Sequence, residues 1–179
     1  MASQKKSRKR APLDEAALYE YAVRALSNKM RTVRDLKRLM RARAGEGDPG
    51  ERAMDTVVAK LKQMNYLNDT RFAADYTRLR QENQKFGRRR VQQDLMQKGV
   101  HKDLIASTLT TAYEDVDELA LARQYVQRKR MKKPVDQKES TRIMGRLMRA
   151  GFSAGAIYKV LKSWDVAVEE ADLEGVEEA

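Results

Sequence analysis

Clusters of arginine and lysine are the side chains of this sequence best suited to chemistry, and that chemistry is the binding of anions. One set lies in the middle of the chain and comprises Arg78, Arg80, Lys85, Arg88, Arg89 and Arg90. A second set follows nearer the C-terminus and comprises Arg128, Lys129, Arg130, Lys132, Lys133, Arg142, Arg146 and Arg149. The last three of these are spaced by four and three residues, which places them on one face of a helix.

The run Arg88-Arg89-Arg90 is predicted to open a helix, where the positive end of the helix dipole adds to the side-chain charge. Three consecutive residues cannot share one helix face, so at least one must point away from the core. Arg90 has an alternative role, because its stem can pack along the core while its guanidinium caps a neighbouring carbonyl. A single exposed cation is ordinarily only solvated. The density of the two sets is what predicts contact with phosphate or with an acidic protein surface.

Catalytic chemistry is poorly represented. The chain has no cysteine and one histidine, which excludes thiolate metal sites and cysteine nucleophiles. No glycine-rich phosphate loop precedes a Lys-Ser or Lys-Thr pair, and the paired carboxylates, such as Asp14-Glu15, look like helix-surface charges. We therefore predict a protein that is not an enzyme, with no catalytic residues, no cofactor and no bound metal.

Charge is unevenly distributed along the 179 residues. The chain carries 37 Lys and Arg against 26 Asp and Glu, a net charge of +11. Residues 1–12 carry five positive charges and no negative one, and residues 165–179 carry seven negative charges and no positive one. We predict a disordered basic arm at 1–12 and an acidic tail at 165–179. The strongly basic body between them predicts a polyanionic partner.

No apolar run approaches the roughly 20 residues that cross a bilayer, so no membrane association is expected. The absence of cysteines and of a signal peptide fits a reducing, cytoplasmic environment.

Apolar residues recur at helical spacing throughout the body, and no stretch alternates as a strand does. Leu95, Gly99 and Ile105 are each matched by a similar residue 52 positions later, at Leu147, Gly151 and Ile157. This offset predicts a repeat of three-helix units at residues 13–67, 68–115 and 116–164. We expect an all-α, elongated, curved array of three such units, with an enlarged loop at residues 44–50 in the first.

Local signals mark where these helices start and stop. Capping residues at Thr32, Asn68, Asp136 and Ser153 predict helix starts. Gly99 and Gly151 are predicted to end helices in the left-handed conformation, with Val100 and Phe152 folding back as the hydrophobic contacts of the cap. In the first unit Arg43 replaces the glycine, and the longer loop is expected to make the turn instead.

Several of these residues together resemble the RecX regulatory-protein family. The similarity covers residues 13–164 and is strongest between 65 and 100. The segment that carries it reads Asn65-Tyr66-Leu67-Asn68-Asp69-Thr70-Arg71-Phe72-Ala73 and continues through Tyr76, Gly87, Arg90-Val91, Leu95 and Lys98-Gly99-Val100. Asn65, in place of the family's glycine, Asn68, in place of an aspartate, and the enlarged first loop depart from the family pattern.

This resemblance implies a modulator of the RecA recombinase, active in DNA repair, recombination and the SOS response. Such a protein binds the RecA filament on single-stranded DNA and limits strand exchange, ATP hydrolysis and coprotease activity. Many members of the family also bind DNA on their own, so we expect direct binding to single-stranded and to double-stranded DNA. We expect it to act as a monomer.

A stand-alone DNA-binding protein of helix-turn-helix type remains an alternative, because residues 88–112 and 140–164 each have a helix–glycine–helix outline. Its second helices, at 102–111 and 154–163, are poor in the Arg, Asn and Gln that read bases. A basic RNA-associated protein is a third possibility, although it does not account for the repeat.

Overall fold

The computed structural model describes residues 11–164, and within that range the chain is built from nine α-helices without a β-strand. The predicted all-α class is confirmed. The acidic tail and residues 1–10 of the basic arm lie outside the described residues. The helices are α1 Glu15–Asn28, α2 Val33–Arg41, α3 Gly47–Gln63, α4 Asp69–Gln84, α5 Arg88–Gln97, α6 Lys102–Tyr113, α7 Glu118–Arg128, α8 Gln137–Arg149 and α9 Ala154–Lys162.

Each predicted helix start carries its capping hydrogen bond. The Thr32 hydroxyl accepts from the N–H of Asp35 at 3.1 Å, and the Asp136 carboxylate accepts from the N–H of Glu139 at 2.7 Å. Asn68 and Ser153 cap α4 and α9 in the same way. Each such bond satisfies an N–H without an intrahelical partner and contributes on the order of 1 kcal/mol to stability.

The glycine-terminated helices α5 and α8 end as predicted. Gly99 and Gly151 have φ of 74° and 90°, in the left-handed region. The residues after them, Val100 and Phe152, are buried, and their N–H groups donate to the carbonyls of Leu95 and Leu147 at 3.2 and 3.3 Å. This pattern of bonds is the Schellman motif, in which the left-handed residue reverses the chain and a hydrophobic residue covers the helix end.

In the first unit Arg43 is not left-handed and the left-handed residue comes later, at Gly47 with φ of 71°, but the predicted loop at residues 44–50 is wrong in extent. The helix α3 begins inside it, at Gly47, with Asp48 and Pro49 in its first turn. Proline is tolerated there because the first-turn N–H groups have no helical partner, and the aspartate favours the positive helix end. Gly50 is buried against Gly45, whose carbonyl oxygen would lie 1.7 Å from a Cβ at position 50.

The chain divides between Phe72 and Ala73 into two compact units. From here on, the first unit is the part up to Phe72 and the second unit is the part from Ala73, in place of the three predicted ranges. Residues of α1, α2 and α3, with Leu67, form the apolar core of the first unit. A second core is formed by residues of α7, α8 and α9, with Phe86 and Tyr113 packed against it. Each predicted range, 13–67, 68–115 and 116–164, holds three of the helices, and the boundaries of these ranges stay a prediction.

Inside the second unit, the start of α5 lies directly against the end of α8. The N–H of Gly87 donates to the carbonyl of Ala150 at 2.8 Å. A Cβ at Gly87 would lie 2.3 Å from the carbonyl oxygen of Gly151, and one at Gly151 would lie 2.2 Å from the nitrogen of Arg90. The absence of both side chains therefore allows the backbones to touch, and this contact fixes α5 against α8.

Candidate functional site

Six of the predicted cations line a single cleft of about 750 Å³ in the second unit, which we call the basic cleft. They come from the segment after α7 and from α8, and they are Arg130, Lys132, Lys133, Arg142, Arg146 and Arg149. Among the lining residues that the structure describes, Glu139 is the single carboxylate. The cleft therefore concentrates positive charge around a volume that an anion can enter.

The segment that carries three of these cations leaves α7 through a left-handed turn at Arg130, whose φ is 50°. The N–H groups of Arg130 and Met131 donate to the carbonyls of Gln127 and Val126, both at 3.0 Å. A non-glycine residue in this conformation costs about 1–2 kcal/mol. An arginine at position 130 thus places a charge in the cleft at a backbone cost that glycine would avoid.

Helix α8 supplies the other three cations from one face, as their spacing predicts. Its Gly145 makes room for one of them, because a Cβ there would lie 3.3 Å from Nη1 of Arg149. The Arg149 guanidinium therefore lies against the backbone of the preceding helical turn. Sequence reasoning missed Gly145, although a glycine four residues before an arginine on an exposed helix face is a signal that could have identified it.

The arginines of α8 have no ion pair within residues 11–164, since no described carboxylate lies within 4.0 Å of Arg142, Arg146 or Arg149. The cleft's Glu139 instead accepts a hydrogen bond from the backbone N–H of Val135 at 3.1 Å. By contrast, several cations of the first unit are paired with carboxylates, such as Arg41 with Glu51 at 2.9 Å. Charge on α8 is thus available to a partner.

The basic cleft also has an apolar lining, which the sequence did not indicate. Met131, Val135 and Ile143 contribute to its wall, and Val135 is 86% exposed. Cationic side chains beside apolar ones suit a ligand that carries both negative charge and apolar surface, as nucleotides and acidic peptides do.

A smaller recess of about 340 Å³ adjoins the basic cleft, because Arg146 and Arg149 line both. Lys129 lies in this recess, with its Nζ 5.7 Å from the centre of the Tyr125 ring. The second predicted set is therefore largely brought together on one surface. Arg128, at the end of α7, is exposed but lines neither cavity.

Arg80 and Arg90, from the first predicted set, are held inside the second unit. The Nε atoms of both lie near the carboxylate of Asp94, at 3.5 and 3.0 Å, and that carboxylate is 9% exposed. Arg90 also lies over the Phe86 ring, and its Nη1 donates to the carbonyl of Arg149 at 3.5 Å. The alternative role for Arg90, capping a neighbouring carbonyl, is the one that the geometry supports.

The remaining members of the first set are dispersed. Arg78 is exposed but forms ion pairs with Asp75 and Glu82 on its own helix. Lys85 occupies a left-handed turn with φ of 57° and is half-buried. Arg88 and Arg89 are exposed at the start of α5, and Nη2 of Arg88 donates to the Thr110 hydroxyl at 3.3 Å.

The tyrosines of the second unit serve packing. The hydroxyl of Tyr76 accepts from Nη2 of Arg80 at 2.7 Å and donates to Asp94 at 3.1 Å, and burial raises its pKa. The hydroxyl of Tyr113 donates to the carbonyl of Phe86 at 2.8 Å, and burial raises its pKa strongly. Both hydroxyls are therefore neutral hydrogen-bonding groups at physiological pH.

Neither a metal cluster nor a membrane helix is found in the part of the chain that the structure describes. No group of three or more His, Asp or Glu side chains converges there. None of the helices α1 to α9 is long and apolar enough to span a bilayer.

Comparison with known proteins agrees with the all-helical fold. The sequence model of the family described as "RecX, second three-helix domain" matches residues 68–109. A protein named "Regulatory protein RecX" from Serratia proteamaculans is 29% identical over 166 residues, which cover 82% of this chain and 97% of that protein. Over most of its length the chain is therefore similar to proteins of the RecX family. A RecX protein from Yersinia pseudotuberculosis is 34% identical over 108 residues, which cover 60% of this chain but only 57% of the relative.

Solved RecX structures share the fold. The crystal structure of RecX from Lactobacillus salivarius aligns with 86% of this chain and 98% of its own, at a TM-score of 0.63 and 21% identity. A second RecX crystal structure aligns with 83% of this chain and 71% of its own, at a TM-score of 0.65 and 24% identity. The helical repeat of this chain is thus an architecture known from solved RecX structures, and the sequence relatives carry the name of a regulatory protein.

Proposed function

We propose that this chain binds the RecA filament on single-stranded DNA and inhibits its recombinase, ATPase and coprotease activities. It acts as a monomer in the cytoplasm, during DNA repair, recombination and the SOS response, and it also binds single- and double-stranded DNA directly. The observation that carries the proposal is the basic cleft, where six cations of one unit face a common volume.

The chemistry of the cleft supports a polyanion. Guanidinium groups bind phosphate and carboxylate through paired hydrogen bonds, and no described carboxylate lies within 4.0 Å of the three arginines of α8. Like charges held together repel, and a bound anion relieves that repulsion. A nucleoprotein filament offers both kinds of anion, as DNA phosphates and as protein carboxylates.

Base reading of the helix-turn-helix kind finds less support. The cations of the cleft belong to α8 and the segment before it, whereas a helix-turn-helix protein reads bases with its second helix. The corresponding second helices, α6 and α9, offer only Lys102, Lys159 and Lys162 as cations. Contacts from α8 fit phosphate or carboxylate recognition, which carries no sequence information. Footprinting is expected to find no preferred DNA sequence.

The test replaces Arg142, Arg146 and Arg149 together by alanine. RecA-dependent ATP hydrolysis on single-stranded DNA should be inhibited by the wild-type chain and much less by the variant. If the contacts are to phosphates, the slope of log affinity for single-stranded DNA against log salt should fall by about 0.7 per lost contact, or about 2 in all. If they are to carboxylates of RecA, affinity for free DNA should hold while inhibition is lost.

A matched control removes the same charge elsewhere. Replacing Arg24, Arg41 and Lys60 by alanine takes three positive charges from the first unit, where each is already paired with a carboxylate. This control should inhibit like the wild type and change the salt slope far less. Equal effects of the two triple variants would show that net charge alone matters and that the cleft is not the binding site. No inhibition by the wild-type chain would refute the proposed function.

A further inference from the structure

A second exposed surface, in the first unit, centres on Tyr66 and contains none of the cations discussed above. Tyr66 is 62% exposed, and with Met30, which is 45% exposed, it lines a recess of about 150 Å³. Two arginines, Arg31 and Arg71, line the same recess. We call this surface the Tyr66 recess.

The position of Tyr66 in its turn is unusual among the turns of this chain. Asn65 is left-handed, with φ of 58°, and the N–H of Tyr66 donates to the carbonyl of Leu61 at 2.9 Å. Tyr66 therefore occupies the place that Val100 and Phe152 occupy after α5 and α8, where the side chain is 6% and 1% exposed. In this turn Leu67, at 2% exposure, fills the core instead, so the tyrosine ring is left at the surface.

The chemistry around the ring favours an anionic partner. Arg31 and Arg71 contribute positive charge, and Lys62 lies in the adjoining recess. The neighbouring carboxylate, Asp69, already accepts a hydrogen bond from the N–H of Val33 at 3.0 Å. Within residues 11–164 the Tyr66 hydroxyl has no hydrogen-bond partner, so the fold makes no use of it.

We propose that the Tyr66 recess is a stacking site for a base of single-stranded nucleic acid, with the flanking cations near its phosphates. An exposed aromatic ring among cations is the arrangement with which proteins hold single strands. The recess has room for one ring rather than for a helix or a duplex. Bases of a duplex are stacked on each other, so this site should distinguish single strands from double strands. The inference rests on the proposed function in one respect, which is that the chain encounters single-stranded DNA.

The experiment compares wild type, Tyr66→Ala and Tyr66→Phe in binding to a thymidine oligonucleotide, an abasic strand of equal length and a duplex. Alanine should weaken binding to the thymidine strand by about 5- to 150-fold, since stacking on one aromatic residue contributes roughly 1–3 kcal/mol. Phenylalanine, which keeps the ring, should bind like the wild type. Because neither replacement removes a charge, the slope of log affinity against log salt should stay the same. In the triple alanine variant of α8 that slope is expected to fall.

Met96→Ala is the matched control, because Met96 is also a large exposed side chain, at 57%, but lies on α5. It should leave all three affinities unchanged. Melting temperatures of the variants, measured by circular dichroism, should match the wild type because position 66 contributes little to the core.

Two outcomes would overturn the stacking site. The first is an unchanged affinity of Tyr66→Ala for the thymidine strand, and the second is an equal loss on the abasic strand. If the first outcome came with a loss of RecA inhibition, it would indicate a protein contact at this surface and would leave the proposed function standing. A Tyr66-dependent affinity in a chain that does not inhibit RecA would instead support the stacking site and refute the proposed function alone.

Discussion

Replacing Gly87 by alanine tests the contact that fixes α5 against α8. The added Cβ would lie 2.3 Å from the carbonyl oxygen and 2.5 Å from the carbonyl carbon of Gly151, and 3.0 Å from the nitrogen of Phe152. All three atoms belong to the backbone, so no side chain can rotate away. The φ of Gly87 is −71°, which alanine adopts freely, and the effect therefore measures the contact rather than backbone strain.

The expected loss of stability follows from that geometry. Separating the two backbones weakens the hydrogen bond from Gly87 to Ala150, which contributes about 1 kcal/mol. Overpacking a closely packed site costs about 1–3 kcal/mol more. We therefore expect the free energy of unfolding to fall by about 3 kcal/mol. For a chain of this length that corresponds to a melting temperature lower by roughly 6–12 °C.

Trp164 provides the assay, because it is the only tryptophan of the chain and packs against the core of α7 to α9. Its fluorescence should report unfolding of the second unit, whereas circular dichroism reports helices of both units. The Gly87→Ala transition should move to lower temperature in fluorescence.

The matched control for this prediction is Gly155→Ala. No atom lies within 4 Å of a Cβ at that position, and it is in α9, so alanine should raise stability by up to about 1 kcal/mol. A Gly87→Ala variant as stable as the wild type would refute the backbone contact.

Two further predictions concern the cleft and the buried tyrosine. Gly145→Ala should raise the free energy of unfolding by about 0.5–1 kcal/mol, because alanine is favoured over glycine within a helix. It should also weaken anion binding, because the added Cβ displaces the Arg149 guanidinium. Urea unfolding would measure the first effect and DNA titration the second. Burial raises the pKa of Tyr113, so the folded state keeps this proton after the unfolded state has lost it near pH 10. The contribution of Tyr113 to the free energy of unfolding should therefore be fully present below pH 10 and be lost as the pH rises above it. In Tyr113→Phe, which has no such proton, the urea midpoint should fall less steeply between pH 9 and pH 11.5.

Local features of the fold were predictable because their causes lie within a few residues. A left-handed glycine followed by a buried hydrophobic residue ends α5 and α8, and the capping residue Thr32 starts α2. The extent of the first loop was not predictable from composition. Its glycines and Pro49 are typical of loops, yet contact of Gly50 with Gly45 allows α3 to begin at Gly47.

The cations show the same limit more sharply. Sequence spacing alone placed Arg142, Arg146 and Arg149 on one helix face, and the helix geometry confirms that placement. Sequence spacing could not show that these three arginines differ from Arg80 and Arg90, which have the same chemistry and a similar density of neighbouring charge. The difference comes from Asp94, which lies 14 and four residues away in sequence but holds both guanidinium groups.

The sequence by itself determined the helical class, the helix ends marked by capping residues or glycines, and the strongly basic character of the chain, because these depend on residue type and short-range spacing. Only the tertiary structure decided which cations are free to bind and which hydrophobic residues reach the surface. Tyr66 is exposed while Phe152, in the corresponding place of another turn, is buried, because Leu67 already fills the core beside it. Whether a side chain is exposed or buried thus depends on its tertiary neighbours, many of which are distant in sequence.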